Sequence, residues 1–161
     1  MRGFVVKGDR DRWTYRSGRK PLLECLDVEL TERCDSDCIH CCINLPAGDP
    51  RARALELPTG EWMRIFRKAA ELGALTIRMT GGEPLLRDDF AELYLYARRL
   101  GLKVLLFTNA RRITPGLADL LARVPPLERI EVTVYGMRAE TYEAVTRVPG
   151  SYAEFRRGVE L

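Results

Sequence analysis

The sequence predicts an α/β protein: a partial (β/α) barrel of four parallel strand–helix units with an open edge. Three observations predict it. After residue 25 an apolar-alternating run, a short polar loop and a helical stretch follow one another four times. Strand–helix alternation at this spacing builds parallel βαβ units, each of roughly 30 residues or more. Three of the strands also alternate with period two, where parallel strands buried on both faces read as continuous apolar runs. Leu26, Val28 and Leu30, then Leu75, Ile77 and Met79, then Ile130, Val132 and Val134 make one apolar face. The opposite face carries Asp27, Glu29, Thr76, Arg78, Glu131, Thr133 and Tyr135. A polar face of this kind meets water, a cavity or a polar ligand. A flavodoxin-like sheet fits the same element order, but the polar face favours a curved, open barrel.

Residues 1–22, with "FVVKG" and "WTYRSG", read as an N-terminal arm or β-ribbon, and residues 23–161 as the core. The strands are expected at Leu26–Thr31, Leu75–Thr80, Val104–Asn109 and Ile130–Tyr135. A first helix near Glu61–Leu72 places Trp62, Ile65, Phe66 and Ala69 on one face, and Gly73 stops it. A second follows Asp89, with Glu92 completing an acidic capping box. The third opens at Thr114 with Pro115 at its first position, and Pro125-Pro126 ends it. A last helix opens at Ser151, with Glu154 completing a second capping box. Glu29, Arg78, Glu131 and Thr133 are expected on the concave side, with Arg78 paired to Glu29 or Glu131. Val28, Ile77 and Val132 are expected against helices.

Composition narrows the class. The 161 residues suffice for one ordinary domain, and 46% apolar with 30% charged residues reads as globular. No apolar run reaches the length of a membrane span, and the run Phe4–Val6 is too short for a signal peptide. The expectation is a cytoplasmic protein in a reducing compartment, where clustered cysteines bind metal or react. Net charge is +3, and the basic residues are scattered outside "DRDRWTYRSGRK", so nothing points to a nucleic-acid partner.

Four of the five cysteines fall in "RCDSDCIHCCINL", residues 33–45, directly after the first strand. Cys34, Cys38 and Cys41 are spaced C-x3-C-x2-C. Thiolates select zinc or iron–sulfur clusters. A structural zinc site takes four protein ligands, typically from two separated pairs, and the second pair is missing here. Three thiolates suit a [4Fe–4S] cube with one iron open to a small molecule. The "TGGEP" turn, Thr80–Pro84, follows the second strand. In parallel sheets ligands sit beyond the C-terminal strand ends, so the turn and the cysteines share one face. Cys42 reads as a small buried hydrophobe or a nonligand thiol, and Cys25 as structural.

Cys34-x3-Cys38-x2-Cys41 with Gly81-Gly82-Glu83-Pro84 about forty residues later resembles the radical S-adenosylmethionine superfamily. The resemblance runs from about Pro21 to the end and includes "TNA" at strand three and "VTVYG" in strand four. It implies that Cys34, Cys38 and Cys41 ligate a [4Fe–4S] cluster whose fourth iron chelates S-adenosylmethionine. It implies reductive cleavage to a 5′-deoxyadenosyl radical that abstracts hydrogen from substrate. Gly81, Gly82, Glu83 and Pro84 match the segment receiving the methionine amino group, Thr133 the position reaching the ribose, and His40 an aromatic near adenine. Asn109 belongs to the matching end of strand three. Arg147 is the candidate for the cofactor carboxylate. No residue is singled out as catalytic. The wider stretch after strand four resembles the branch with a C-terminal auxiliary-cluster (SPASM-type) domain, which often modifies peptides. The partners implied are a peptide or small-molecule substrate and an electron donor such as flavodoxin or ferredoxin. The family barrel has about six strands, so the core is expected to be truncated, its missing C-terminal segment a further partner. Two rivals remain: a catalytically silent cluster- or partner-binding chain, and a structural zinc module.

Overall fold

The computed structural model describes residues 23–43 and 45–161, so the expected N-terminal arm lies outside the described residues. Four parallel strands form the main sheet. They are β1 (Cys25–Glu29), β4 (Thr76–Thr80), β5 (Lys103–Thr108) and β6 (Leu127–Val132), in the order β1-β4-β5-β6. A two-residue parallel pair, β2 (Arg33–Cys34) with β3 (Leu45–Pro46), closes the base of the cysteine loop. The helices are α1 (Pro50–Leu55), α2 (Thr59–Glu71), α3 (Phe90–Arg99), α4 (Pro115–Arg123), α5 (Ala139–Thr146) and α6 (Ser151–Val159). A 3₁₀ turn, Pro84–Leu86, follows β4.

The alternating strands β1 and β4 pack as their period requires: Val28, Ile77 and Met79, with Val104 and Leu106 of the continuously apolar β5, lie buried against Trp62 and Phe66 of α2 and against Phe90, Leu93, Tyr94 and Ala97 of α3. Core side chains of this size are worth about 2–5 kcal/mol each against truncation to alanine. A second core joins Ala110, Ile113, Tyr142 and Phe155, with Val132 packed on it. The polar face stays open. There Arg78 lies opposite Asp27 in register and donates to it at 2.8 Å, so its partner is Asp27 and not Glu29 or Glu131. Its guanidinium also sits 5.5 Å from the Phe107 ring centroid. Glu131 takes Arg129, two residues away on its own strand, at 2.6 Å.

Two helices, α1 and α5, were not anticipated. Neither offers a long apolar stripe; α1 has six residues and α5 eight. Strand β6 runs three residues earlier than its alternation suggested, because its ladder begins with Leu127 opposite Val104 and passes through a register shift. Both capping boxes fail. Asp89 gives its carboxylate to Arg87 and Thr59 and makes no cap bond. Ser151 is the first residue of α6, behind a left-handed Gly150, and its hydroxyl meets that of Thr146 at 2.8 Å. The Glu143 carboxylate instead accepts from the N–H groups of Gly150 and Tyr152. Thr114 does cap α4, accepting from Leu117 N–H at 3.2 Å.

Candidate active site at the C-terminal strand ends

One cavity of about 170 Å³ opens at the C-terminal ends of the strands. Cys34, Cys38, Cys41, Gly81, Gly82, Asn109 and Thr133 all line it, with Ser36, Thr80, Phe107, Thr108 and Tyr135. Residues as far apart as 34 and 135 meet because every strand points the same way.

The cysteine loop is held from three sides. On the first, the Gly-Gly turn grips its entry: Gly82 N–H donates to Thr31 O at 2.7 Å and Glu83 N–H to Arg33 O at 2.8 Å. A Cβ on Gly81 would collide with the Thr31 carbonyl, and one on Gly82 with the Arg33 carbonyl. Gly81 also has φ +139°, which only glycine adopts without strain. The two glycines thus allow backbone to lie on backbone.

On the second side stands the end of β5. The Asn109 side-chain amide donates to Asp35 Oδ1 at 2.7 Å. Arg111, only 6% exposed, donates to the Asp35 carbonyl and to Ser36 Oγ, and reaches Glu154 of α6 at 2.6 Å. Arg112 Nε donates to Asp35 Oδ2 at 2.8 Å. On the third side, the last turn of α5 accepts the loop: Asp37 N–H donates to Thr146 O at 2.9 Å and Ile39 N–H to Val145 O at 3.0 Å. These acceptors are helix-end carbonyls that lack partners within the helix.

Glu83 is the buried hinge between these supports. Its carboxylate accepts from Leu85 N–H, Thr108 Oγ1 and Asn109 N–H at 2.8–3.0 Å. It thus faces the protein interior. Burial pushes its carboxyl up to about 7, with the three hydrogen bonds opposing the rise. Pro84 is buried at the start of the 3₁₀ turn.

The remaining residues fall around the rim. His40 is exposed and lies edge-on to Tyr135, ring centroids 5.2 Å apart. Arg147, at φ +55°, donates to the Asp37 carbonyl at 2.6 Å and to its carboxylate at 2.8 Å, so it meets the cysteine loop outside the cavity lining. Cys42 is exposed, against the buried reading, and exposed Cys25 lies at the far end of β1. Asp35, Ser36 and Arg111 escaped the sequence reading, and Tyr135 entered it only as part of the polar strand face. Nothing local marks the first three, since each acts on a partner remote in sequence.

The donors suit a soft metal group. Three thiols ring one cavity, and Ser36 N–H points at the Cys34 sulfur at 3.4 Å, as amides do toward metal-bound thiolates. Burial holds the Cys34 thiol up to about 12, a cost that a cationic iron would remove. Among the described residues no three His, Cys, Asp or Glu groups converge around a single ion position.

Comparison with known proteins agrees with this arrangement. The family model of the Radical SAM superfamily matches residues 28–161. The AdoMet-dependent heme synthase of Methanosarcina barkeri is 33% identical over 137 residues, 83% of this chain and 37% of that protein. The PqqA peptide cyclase of Ruegeria pomeroyi is 34% identical over 126 residues, 78% of this chain and 33% of that protein. The crystal structure of Streptococcus suis SuiB bound to S-adenosylmethionine shares the fold at TM-score 0.67 and 23% identity, covering 84% of this chain and 31% of that one. The chain spans about a third of the length of the curated relatives it matches. With its three-cysteine loop and Gly-Gly-Glu-Pro turn on one cavity, the chain belongs to the radical SAM superfamily.

Proposed function

We propose that this chain is the cofactor-binding core of a radical S-adenosylmethionine enzyme. The observation that carries the reading is the single cavity shared by Cys34, Cys38, Cys41, Gly81, Gly82, Asn109 and Thr133. Cys34, Cys38 and Cys41 would hold a [4Fe–4S] cluster. When bound, it would supply one-electron chemistry and an open iron for reductive cleavage of S-adenosylmethionine.

The chain's own residues bind, orient and exclude water. Backbone groups at Gly81 and Gly82 would receive the methionine end, and the Thr133 hydroxyl the ribose. His40, edge-on to Tyr135 at the rim, would cover the adenine side. Arg147, tied to Asp37, holds the loop in place beside the cofactor carboxylate. The electron comes from a donor such as flavodoxin or ferredoxin. A peptide substrate is favoured, since a relative at 34% identity is a peptide cyclase. The remainder of a longer protein, in the manner of the auxiliary-cluster branch, supplies the further substrate contacts, and the location is cytoplasmic. No helix is long and apolar enough to cross a membrane among the described residues.

Anaerobic reconstitution with iron and sulfide, followed by dithionite and S-adenosylmethionine, tests the reading. The expected result is a brown protein that releases 5′-deoxyadenosine. A protein that takes up iron and sulfide but cleaves no cofactor would overturn it.

A further inference from the structure

Cys34 and Ser36 line two cavities at once. One is the thiol cavity described above. The other is a separate hollow of about 550 Å³ that touches neither the Gly-Gly turn nor β6. Its further walls are Pro46 and Ala47 behind the loop, Arg111 and Arg112 after β5, and Val148 after α5. At Cys34 the wall between the two is therefore one loop thick. A smaller hollow of about 270 Å³ continues the outer one, since Arg111 and Arg112 line both, and it runs on to Thr114, Glu154 and Arg157.

The surface around these hollows is cationic. Asp35 is only 5% exposed and is taken by Asn109, Arg111 and Arg112. Asp37 answers Arg147, and Glu154 answers Arg111. Arg157 is exposed; it donates to the Arg111 carbonyl at 3.2 Å and has no ion pair among the described residues. Arg112, Arg147 and Arg157 thus reach the surface, where Asp37 and Glu154 are the carboxylates beside them and both are already paired.

Two demands on the site pull apart. The substrate side has to exclude water, yet an electron has to arrive from another protein. A thin wall at Cys34, away from Gly81, Gly82 and Thr133, meets both. Resting on the reading of the three cysteines as cluster ligands, we propose that this cationic double hollow is the docking surface of an acidic one-electron carrier protein. The carrier gives up one electron across Cys34 and leaves oxidised by one electron, and the cluster is reduced by one. The excess of positive charge is small, which suits a brief encounter. Electron-transfer complexes bury little surface, and opposite charge acts chiefly on their rate of association.

The test is Arg157→Glu in the full chain, with a bacterial flavodoxin as the acidic carrier. Arg64→Glu on α2 makes the same change of net charge on another element and serves as the control. Two readouts are taken. The first is the calorimetric Kd of the metal-free chain for flavodoxin, which should rise about tenfold at low ionic strength in Arg157→Glu. The difference should shrink as salt is added, and Arg64→Glu should match wild type. The second is the rate at which reduced flavodoxin reduces the reconstituted protein in stopped flow, which should fall about tenfold in Arg157→Glu. Reduction by photoreduced deazaflavin, a small molecule with no surface to dock, should stay at the wild-type rate. Equal affinities in Arg157→Glu and wild type, an equal loss in Arg64→Glu, or a wild type that binds no flavodoxin overturns the proposal. A wild type that takes up no iron and sulfide overturns the proposed function instead, because the metal-free affinity is read without the cluster and decides the docking surface by itself.

Discussion

The backbone N–H of Asn109 donates to Glu83 Oε2 at 2.8 Å, while the Asn109 side chain donates to Asp35 at 2.7 Å. One residue thus couples the carboxylate after β4 to the loop after β1.

The charge on Glu83 makes stability pH-dependent. Burial raises its folded-state value to about 7 from an ordinary 4.5. A folded-state value above the unfolded one means that the folded chain holds the proton longer. The stabilisation is complete below the ordinary carboxylate range and is lost as pH climbs through about 7. The thermal midpoint of metal-free protein should fall between about pH 5 and pH 8. Glu83→Gln should flatten that slope. The amide turns one N–H toward a donor and lowers stability at every pH, so the slope is the measurement. An equal slope in both proteins would refute the assignment.

Removing Arg111 should weaken the whole site. Its side chain is 6% exposed and that of Asp35 5%. Arg111→Met leaves the Asp35 charge buried beside Arg112 and Asn109 alone, a loss of about 3–5 kcal/mol for a broken buried pair. Arg111→Lys should not restore it, because one ammonium cannot serve Asp35, Ser36 and Glu154 together. Urea midpoints of the three proteins decide the matter.

The cysteines should separate into two groups. Alanine at Cys34, Cys38 or Cys41 should abolish bound iron and sulfide, since these three line the cavity. Alanine at exposed Cys42 or Cys25 should leave both unchanged. Retention in Cys38→Ala with loss in Cys42→Ala would reverse the ligand assignment.

Gly158 tests the packing of α6. In an open helix, glycine to alanine is worth about 1 kcal/mol of added stability. Here a Cβ would collide with the Ala110 carbonyl, one residue past Asn109. Gly158→Ala should therefore destabilise, by about 1–3 kcal/mol as other overpacked sites do. A thermal midpoint above wild type would show that the helix moves away freely.

The sheet was legible because alternation survives in any context: Val28, Ile77 and Met79 have one face to bury and do so. The gathering of Cys34 with Gly81 was legible too, since parallel strands carry their following loops to one end. Alternation states which face a residue takes but not where pairing begins, hence the early start of β6 at Leu127. Local capping rules failed wherever a distant group competed. Asp89 is taken by Arg87 and Thr59, and Arg78 prefers its register neighbour Asp27. The Arg111–Asp35–Asn109 bracket has no periodicity and no fixed spacing, so only the folded chain displays it.

The three-sided grip on the cysteine loop orders events during synthesis. Asp37 waits for Arg147, 110 residues later. At a synthesis rate of roughly 5–20 residues per second, that is a delay on the order of 5–20 s. Over that interval the thiols have left the ribosome without the carbonyls, amides and arginine that arrange them. Metal arriving then meets an unshaped loop, and metal arriving later meets a finished one. A site that took metal only in its finished shape would therefore load late, after α5 and α6 have arrived.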